Sequence, residues 1–168
     1  MKQTHGNKVT VVDSQSSPNG AVYDGDAVVT DKPNVALAVQ VADCLPLLLI
    51  SKSVVAAVHV GRKGLLNKVA LAALDQMKKL GADQISGVVG PHICGNCYEV
   101  DPVMYSEIVK EHPATGGKSN HLNLFAGLKD QLSEVEITSL GICTKENSDY
   151  FSHRADATLG LQVGVISL

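Results

Sequence analysis

The sequence predicts an α/β protein of the α+β type, with layered mixed β-sheets flanked by helices. Short β-branched and apolar runs outnumber the segments with helical periodicity. Strands and helices do not alternate regularly, which argues against a doubly wound parallel sheet. A chain of 168 residues with 45% hydrophobic residues buries a substantial core. Because it contains no repeat and no linker, it is expected to form a single domain over residues 1–168.

The N-terminal part of the chain contains three predicted strands. "KVTVV" (8–12) is short and β-branched, and the polar loop "DSQSSPNG" (13–20) follows it. "GDAVVT" (25–30) is the second strand. In "NVALAVQV" (34–41) the apolar residues alternate with others, which predicts a third strand with one buried face. That face comprises Val35, Leu37, Val39 and Val41.

Two continuous apolar runs and a helical repeat follow. "PLLLI" (46–50) and "VVAAVHV" (54–60) predict strands that are covered on both faces. Apolar residues then recur at helical spacing from Leu66 to Leu80, and Lys78, Lys79 and Gly81 are typical of a helix C-terminus. This pattern predicts one long helix that starts at "GRKG" (61–64).

The C-terminal half is predicted to contain two more helices and three strands. Asp101 is expected to cap the helix that begins at Pro102. The polar stretch "HPATGGKSNH" predicts a loop after this helix. The other elements are the strand "ISGVV", the helix "NLFAGLKDQLSEV" and the closing strands "EITSLGI" and "LQVGVISL".

Composition and charge exclude several classes of protein. A net charge of -3 and a pI near 6.0 provide no positive field for nucleic acid. The N-terminal segment lacks the apolar core of a signal peptide, and no apolar run approaches the roughly 18 to 20 residues that span a membrane. We therefore expect a cytoplasmic protein with neither a nucleic-acid nor a membrane partner, in which the four cysteines are not paired in disulfides.

The "GRKG" segment is a candidate anion site. A helix N-terminus offers unpaired N–H groups, and Gly61 and Gly64 would let a phosphate or carboxylate approach them. Arg62 and Lys63 add positive charge. The same residues equally fit a glycine-assisted turn with two solvated cations, and the spacing does not match a P-loop.

The cysteines and histidines leave several readings open. Cys44 and His59 end neighbouring predicted strands, so they fit a nucleophilic pair or two metal ligands, but also a buried thiol and a hydrogen-bonded imidazole. His5 is equally ambiguous. Cys94 and Cys97 have the spacing of two ligands of a zinc site, but the sequence shows no second pair of ligands. Cys143 is isolated in the sequence, and His92 is too close to Cys94 to belong to an independent pair.

Cys94 and Cys97 also lack the context of a redox pair. A redox pair should open a helix, whereas the next helix starts several residues later at Pro102. We therefore predict a loop with incidental thiols at this position.

Three short motifs occur together in this chain: Gln3-x-His5-Gly6, Ala42-Asp43-Cys44-x-Pro46 and His59-x-Gly61. With these motifs the chain resembles the YfiH-like laccase-domain family, long described as multicopper polyphenol oxidoreductases. The resemblance covers almost the whole chain. The supporting segments are "GDAVVT", "GPHICGNCYEV", "GICT" and "FSHR".

The resemblance implies a metal site and an activity. His5, Cys44 and His59 would bind one Zn²⁺ and form the catalytic site, with an open fourth position typical of catalytic zinc. The implied reaction is phosphorolysis of purine nucleosides to base and ribose 1-phosphate, with adenosine deamination as a companion activity. The implied partners are a small-molecule nucleoside and phosphate. Copper-dependent polyphenol oxidation is the alternative, with Cu as the metal. The substrate and phosphate contacts would come from Gln3, Gly61, Arg62, Lys63, Gly64 and Arg154.

The chain departs from the family around the substrate. Arg62 and Lys63 replace an expected tryptophan and arginine, and lysine does not reproduce the planar grip of arginine on phosphate. Near the C-terminus Arg154 is kept, while two other expected cations are absent. The family motif starts at residue 3, so the upstream strands of the family are expected to be missing, and the exposed sheet edge would favour a homo-oligomer.

Two further readings follow from these departures. One is a metal-free hydrolase that uses Cys44 and His59, as deamidating toxins of similar fold do. The other is a diverged protein that binds zinc or a nucleoside without turnover.

Overall fold

The computed structural model describes residues 1–13, 22–157 and 159–168, which contain eight strands and five α-helices. The strands are β1 (Val9–Val11), β2 (Ala27–Thr30), β3 (Leu37–Val41), β4 (Leu45–Ile50), β5 (Val55–Val60), β6 (Ser86–Val89), β7 (Glu136–Ser139) and β8 (Gln162–Ile166). The helices are α1 (Arg62–Leu66), α2 (Val69–Lys79), α3 (Pro102–Glu111), α4 (Leu124–Gln131) and α5 (His153–Asp156).

Six of the strands form a mixed sheet in the order β1-β2-β5-β4-β6-β7. The outer pairs β1-β2 and β6-β7 are parallel, whereas β5 runs antiparallel to both β2 and β4 and β6 runs antiparallel to β4. β3 and β8 form a separate two-stranded antiparallel ribbon. The predicted fold class, layered mixed sheets flanked by helices, is confirmed.

The central sheet separates two hydrophobic cores. Ala56, Val58 and Val60 of β5 pack into the larger core, which also contains buried residues of α2, α3 and α4. Val55 and Ala57 face the smaller core, together with residues of the ribbon. All six residues of β5 are buried, which confirms the prediction of a strand covered on both faces. Burial of this apolar surface is the main stabilising contribution to the sheet.

Local sequence signals position several elements as predicted. The inward face of β3 holds Leu37, Val39 and Val41, while the alternate residues are exposed. The Asp101 side chain accepts a hydrogen bond from the Met104 N–H over 2.9 Å and so caps α3. This contact satisfies one of the free N–H groups at the start of the helix.

The helix predicted from the apolar repeat between Leu66 and Leu80 is present as α2, but its predicted continuity with "GRKG" is wrong. α1 has five residues and ends at Leu66, and α2 begins at Val69. Lys68 lies between them with a left-handed φ of 60°, which interrupts the helical path. Apolar periodicity continues through this break because both helices face the same core, so the break leaves no trace in the apolar pattern.

Three smaller features complete the description. The loop predicted at 112–121 contains one 3₁₀ turn, Pro113–Thr115, and the short helix α5 has no counterpart in the sequence prediction. Most of the predicted loop "DSQSSPNG" lies outside the described residues. None of the helices in the described part of the chain has the length and hydropathy needed to cross a bilayer.

Candidate metal centre

Three side chains that are far apart in sequence meet at one end of the central sheet. Cys44 directly precedes β4, and His59 lies on β5, where it pairs with Pro46 in the antiparallel register. His5 reaches the same place from the turn before β1. The ligand atoms of His5, Cys44 and His59, which we call the His/Cys cluster, all lie within 4.8 Å of one another. Three separate motifs thus form one candidate site.

Asp26 holds two of these residues in place. Its side chain is fully buried, and its Oδ1 lies 2.8 Å from Nδ1 of His59. The backbone N–H groups of Thr4, His5 and Gly6 all donate to the same carboxylate, at 3.1, 2.9 and 2.7 Å. An ionised carboxylate only accepts hydrogen bonds, so the proton of His59 lies on Nδ1 and its Nε2 is free to bind a metal.

The cluster is compact because Gly61 has no side chain. A Cβ atom at this position would lie 2.9 Å from Sγ of Cys44 and 2.9 Å from Cδ2 of His5. Contacts this short do not occur around real Cβ atoms, so any larger residue would push the ligands apart. A glycine is needed here because the backbone of Gly61 packs directly against the Cys44 and His5 side chains, and not because its φ is unusual.

Burial controls the protonation of the cluster. Desolvation lowers the pKa of His59, although its hydrogen bond to Asp26 opposes this effect, so the imidazole is kept neutral. Burial, together with the negative charges of Asp43 and Asp26, raises the pKa of the Cys44 thiol to about 11. Burial alone would raise the pKa of Asp26, but the hydrogen bonds from His59 and the Gly6, Thr4 and His5 backbone lower it overall. Without a cation, Cys44 is therefore a protonated thiol and a weak nucleophile.

The residues fit a divalent metal. Two imidazoles and one thiol are the donor set of a catalytic zinc site with an open position. Ligand atoms around a tetrahedral zinc ion are about 3.4 to 3.6 Å apart, and Sγ of Cys44 lies 3.9 Å from Nε2 of His5. The two imidazole rings meet edge to face at a centroid distance of 4.7 Å. Small side-chain shifts would bring the cluster to coordination distance.

The His/Cys cluster lines a cavity of about 670 Å³. Two of the predicted substrate residues, Gln3 and Arg154, also line this cavity. The Gln3 amide donates to the Gln40 carbonyl at 2.7 Å and accepts from its N–H at 3.0 Å, so Gln3 fastens the N-terminal segment to β3. A cavity of this size is typical of small-molecule sites.

Arg154 is the one arginine or lysine among the described residues that line this cavity. Its guanidinium lies over the Tyr98 ring at 5.0 Å and donates to the Glu99 carbonyl at 2.7 Å. Its backbone N–H donates to Asp43 Oδ2 at 2.8 Å. These contacts fix the side chain, while a guanidinium has further N–H groups with which it can bind an anion.

The other predicted phosphate residues are dispersed. Arg62 lines a neighbouring cavity of about 580 Å³, which shares Tyr98 and Arg154 with the first. Gly64 is buried against His59 and Val69, and Lys63 is exposed; neither lines these two cavities. The helix that begins at Arg62 has only five residues, so the long helix expected behind this segment is absent, and the phosphate contacts of Gly61, Arg62, Lys63 and Gly64 stay a prediction.

The structure also changes the interpretation of Cys94 and Cys97. Their thiols lie with Cys143 and Glu146 in a second group, whose ligand atoms all lie within 4.8 Å of one another. We call this group the cysteine cluster. The expectation that Cys143 is isolated is wrong, because a β-bridge between His92 and Cys143 joins two loops that are distant in sequence.

Sequence reasoning missed Asp26, Asp43 and Tyr98. Asp26 gives a detectable signal, since it is an acidic residue at the start of an otherwise buried apolar strand. Asp43 was visible only as part of a motif, and its buried carboxylate accepts hydrogen bonds from Thr144 and Arg154. Tyr98 is part of the family segment "GPHICGNCYEV", but its position between the two cavities depends on the loop path and could not be read from the sequence.

The mixed fold and the three-ligand cluster at a cavity wall define an α/β protein with a candidate catalytic metal centre. All residues, 1–168, match the sequence profile of the family described as "Multi-copper polyphenol oxidoreductase laccase". The chain belongs to this family of enzymes.

Named relatives and a solved structure agree with this assignment. A purine nucleoside phosphorylase of Streptomyces coelicolor is 40% identical over 179 residues, covering 100% of this chain and 74% of the relative. An adenosine deaminase from an unknown prokaryotic organism is 30% identical over 189 residues, covering 97% and 70%. The crystal structure of Bacillus licheniformis YfiH has a TM-score of 0.86 at 26% identity, covering 99% of this chain and 72% of that one. The predicted family is confirmed.

Proposed function

We propose that the protein is a zinc-dependent purine nucleoside phosphorylase. The observation that carries this proposal is the convergence of His5, Cys44 and His59 on the wall of a cavity that also contains Arg154. The names of the relatives support the choice of substrate, since the Streptomyces coelicolor protein is a purine nucleoside phosphorylase.

The His/Cys cluster supplies the metal ligands in this proposal. Nε2 of His59 is directed by the Asp26 contact, and His5 is held through its backbone by the same carboxylate. Such outer contacts raise ligand basicity and fix ring orientation. A zinc ion bound here would act as a Lewis acid toward an oxygen of the substrate or of phosphate.

Arg154 is proposed to bind the phosphate. In phosphorolysis an oxygen of phosphate forms a bond to C1′ of the ribose, the bond from C1′ to the purine nitrogen breaks, and its electron pair stays on the purine, which takes up a proton. The guanidinium is positioned by Tyr98 and Glu99 and lies on the same cavity wall as the cluster. Holding phosphate beside the ribose makes the reaction effectively intramolecular.

Adenosine deamination is a second candidate activity. It is favoured by the relative named as an adenosine deaminase, which aligns with 97% of this chain. Deamination replaces the purine amino group with oxygen from water and releases ammonia, so it needs no phosphate. The same cavity would bind adenosine in both reactions.

One set of incubations tests these proposals. Purified protein loaded with one zinc ion per His/Cys cluster is incubated with inosine and phosphate, and with adenosine without phosphate. We expect hypoxanthine and ribose 1-phosphate from the first mixture and inosine from the second, both lost on chelation and on Cys44→Ser. Absence of product in both mixtures from zinc-loaded protein would contradict the proposed activity and support a binding protein.

Two controls separate the remaining alternatives. Copper-loaded protein is assayed with a polyphenol, because Cu also binds imidazole and thiolate ligands. Oxidation by the copper form with no phosphorolysis by the zinc form would favour the oxidoreductase. Rapid alkylation of Cys44 in zinc-loaded protein would favour the metal-free hydrolase, since a zinc-bound thiolate is protected.

A further inference from the structure

The cysteine cluster is a second group of metal-ligating side chains, and the proposed function does not use it. It lines neither of the two cavities described above. Three thiols and one carboxylate meet there with all ligand atoms within 4.8 Å of one another. We propose that Cys94, Cys97, Cys143 and Glu146 bind one structural zinc ion, which fastens two loops of the chain together.

Two chain segments each supply a pair of ligands with two residues between them. In the first segment the Cys97 N–H donates to the Cys94 carbonyl over 3.0 Å, which closes a turn. In the second segment the Asn147 N–H donates to the Cys143 carbonyl over 3.1 Å, and Glu146 lies within that turn. Tight turns with this ligand spacing are typical of structural zinc sites. Two such turns provide the four ligands that zinc requires.

Backbone contacts hold the two turns side by side. The His92 N–H donates to the Ile142 carbonyl, and the Thr144 N–H donates to the His92 carbonyl, each over 3.1 Å. The Cys94 N–H points at Sγ of Cys143 at 3.3 Å. The arrangement therefore does not depend on contacts between the thiols. An N–H directed at sulfur favours the thiolate, which is the form that binds metal.

The distances and charges suit a zinc ion. Sγ of Cys97 lies 3.2 Å from Oε1 of Glu146. Tetrahedral zinc with sulfur and carboxylate ligands separates their atoms by about 3.4 to 3.8 Å, so ligand atoms up to 4.8 Å apart would approach one another by about 1 Å, while the Cys97 and Glu146 atoms would separate slightly. Glu146 is exposed, and its carboxylate already lies in the group through the contact with Cys97. The Cys97 thiol donates a hydrogen bond to the Glu146 carboxylate, and a zinc ion would take the place of that proton.

The ligand set favours a structural zinc ion over hard cations. Thiolates favour zinc over the hard cations calcium and magnesium, which bind oxygen. Three cysteines and one glutamate complete a tetrahedral shell, so no position remains for substrate. A closed site of this kind contributes to folding rather than to catalysis.

The zinc would also help to position the His/Cys cluster. Ile93, next to Cys94, donates its N–H to the Asp43 carbonyl over 2.9 Å, and the Thr144 hydroxyl, next to Cys143, donates to Asp43 Oδ1 over 2.7 Å. Asp43 has a left-handed φ of 88°, a conformation that a non-glycine residue keeps only when its surroundings hold it. Asp43 directly precedes Cys44, so fastening the loops restrains a ligand of the other cluster.

Cobalt binding to the full-length Cys44→Ser variant tests the proposal. This variant lacks the thiol of the His/Cys cluster, so thiolate-to-cobalt charge-transfer absorption arises only at the cysteine cluster. We expect one Co²⁺ per chain with strong thiolate absorption, displaced by one equivalent of Zn²⁺. Adding Cys143→Ser should lower the absorption per bound cobalt by about a third, as one of three thiolates is lost. Adding Glu146→Ala instead should keep the absorption and weaken cobalt binding about tenfold or more.

Three results would overturn the proposal. The first is a folded Cys44→Ser variant that binds no cobalt or gives no thiolate absorption. The second is a disulfide in protein purified with reductant, which would lower the measured mass of the chain by two hydrogen atoms relative to the fully reduced chain. The third is hydrogen exchange at 92–94 and 142–146 that zinc does not slow. These measurements do not involve nucleosides, so their outcome is independent of the proposed activity.

Discussion

The His/Cys cluster and the cysteine cluster differ in the number of protein ligands and in what lies beside them. The first has three ligands and forms part of the wall of a 670 Å³ cavity. The second has four ligands, supplied by two turns, and lines neither cavity. An open position beside a cavity is the arrangement of a catalytic metal, and a complete shell is that of a structural one. The number of candidate ligands thus predicts different roles for the two clusters.

Removal of a ligand from the His/Cys cluster should have the largest effect on activity. His59→Ala is expected to abolish metal binding at that cluster. It should lower kcat/KM for inosine phosphorolysis by more than about a hundredfold, because loss of a residue that only contacts a metal ligand already lowers activity by up to about a hundredfold. Metal content and product formation are measured together. His112→Ala, at the C-terminal end of α3, is the matched control. Equal activity of His59→Ala and His112→Ala would contradict a catalytic role for the His/Cys cluster.

Loss of the Asp26 carboxylate should have the next largest effect. Asp26→Asn keeps the side-chain shape but weakens the acceptor for His59 and for the turn that carries His5. Zinc affinity at the His/Cys cluster is expected to fall about 10- to 100-fold, measured by competition with a chelator. Asp24→Asn, two residues away and exposed, should leave the affinity unchanged. An unchanged affinity in Asp26→Asn would mean that the buried carboxylate does not orient the ligands.

Gly61→Ala tests how closely the His/Cys cluster must pack. The new Cβ would lie 2.9 Å from atoms of both Cys44 and His5, so the ligands must separate. We expect kcat/KM to fall about 10- to 100-fold, the usual result of displacing reacting groups by about 1 Å. Cobalt absorption from the cysteine cluster should not change. A fully active variant would show that the backbone moves to make room.

Arg154→Ala is expected to have a smaller effect, mainly on the KM for phosphate. Loss of one charge-assisted hydrogen bond of about 1.5 to 3 kcal/mol predicts a KM for phosphate at least about tenfold higher, with a smaller change in KM for inosine. Lys63→Ala, which removes an exposed cation outside both cavities, should change either constant by less than about twofold. A larger effect from Lys63 than from Arg154 would reverse the assignment of the phosphate site.

Much of the fold was predictable because burial and backbone pairing leave local patterns. The alternation in β3 and the continuous apolar run of β5 indicated the two layers, and Asp101 marked the start of α3. The break at Lys68 was not predictable. Residues on either side of it face one core, so the apolar spacing passes through it unchanged.

The two candidate sites differed in how far the sequence could identify them. The resemblance of three motifs to one family was sufficient to predict that His5, Cys44 and His59 lie together, and their ligand atoms are within 4.8 Å of one another. Cys143 and Glu146 gave no such signal, because they lie 49 residues from Cys94 and Cys97. Only the pairing of the two loops through His92 brings them beside Cys94 and Cys97.

Zinc content and inosine phosphorolysis, measured on the same preparations of wild-type protein, Cys44→Ser and Cys143→Ser, test the account most directly. The wild-type protein should hold two zinc ions per chain and produce hypoxanthine. Cys44→Ser should hold one and produce none, whereas Cys143→Ser should hold one and keep measurable phosphorolysis. A Cys44→Ser variant that forms hypoxanthine at the wild-type rate would contradict the central claim that the His/Cys cluster is the catalytic metal centre.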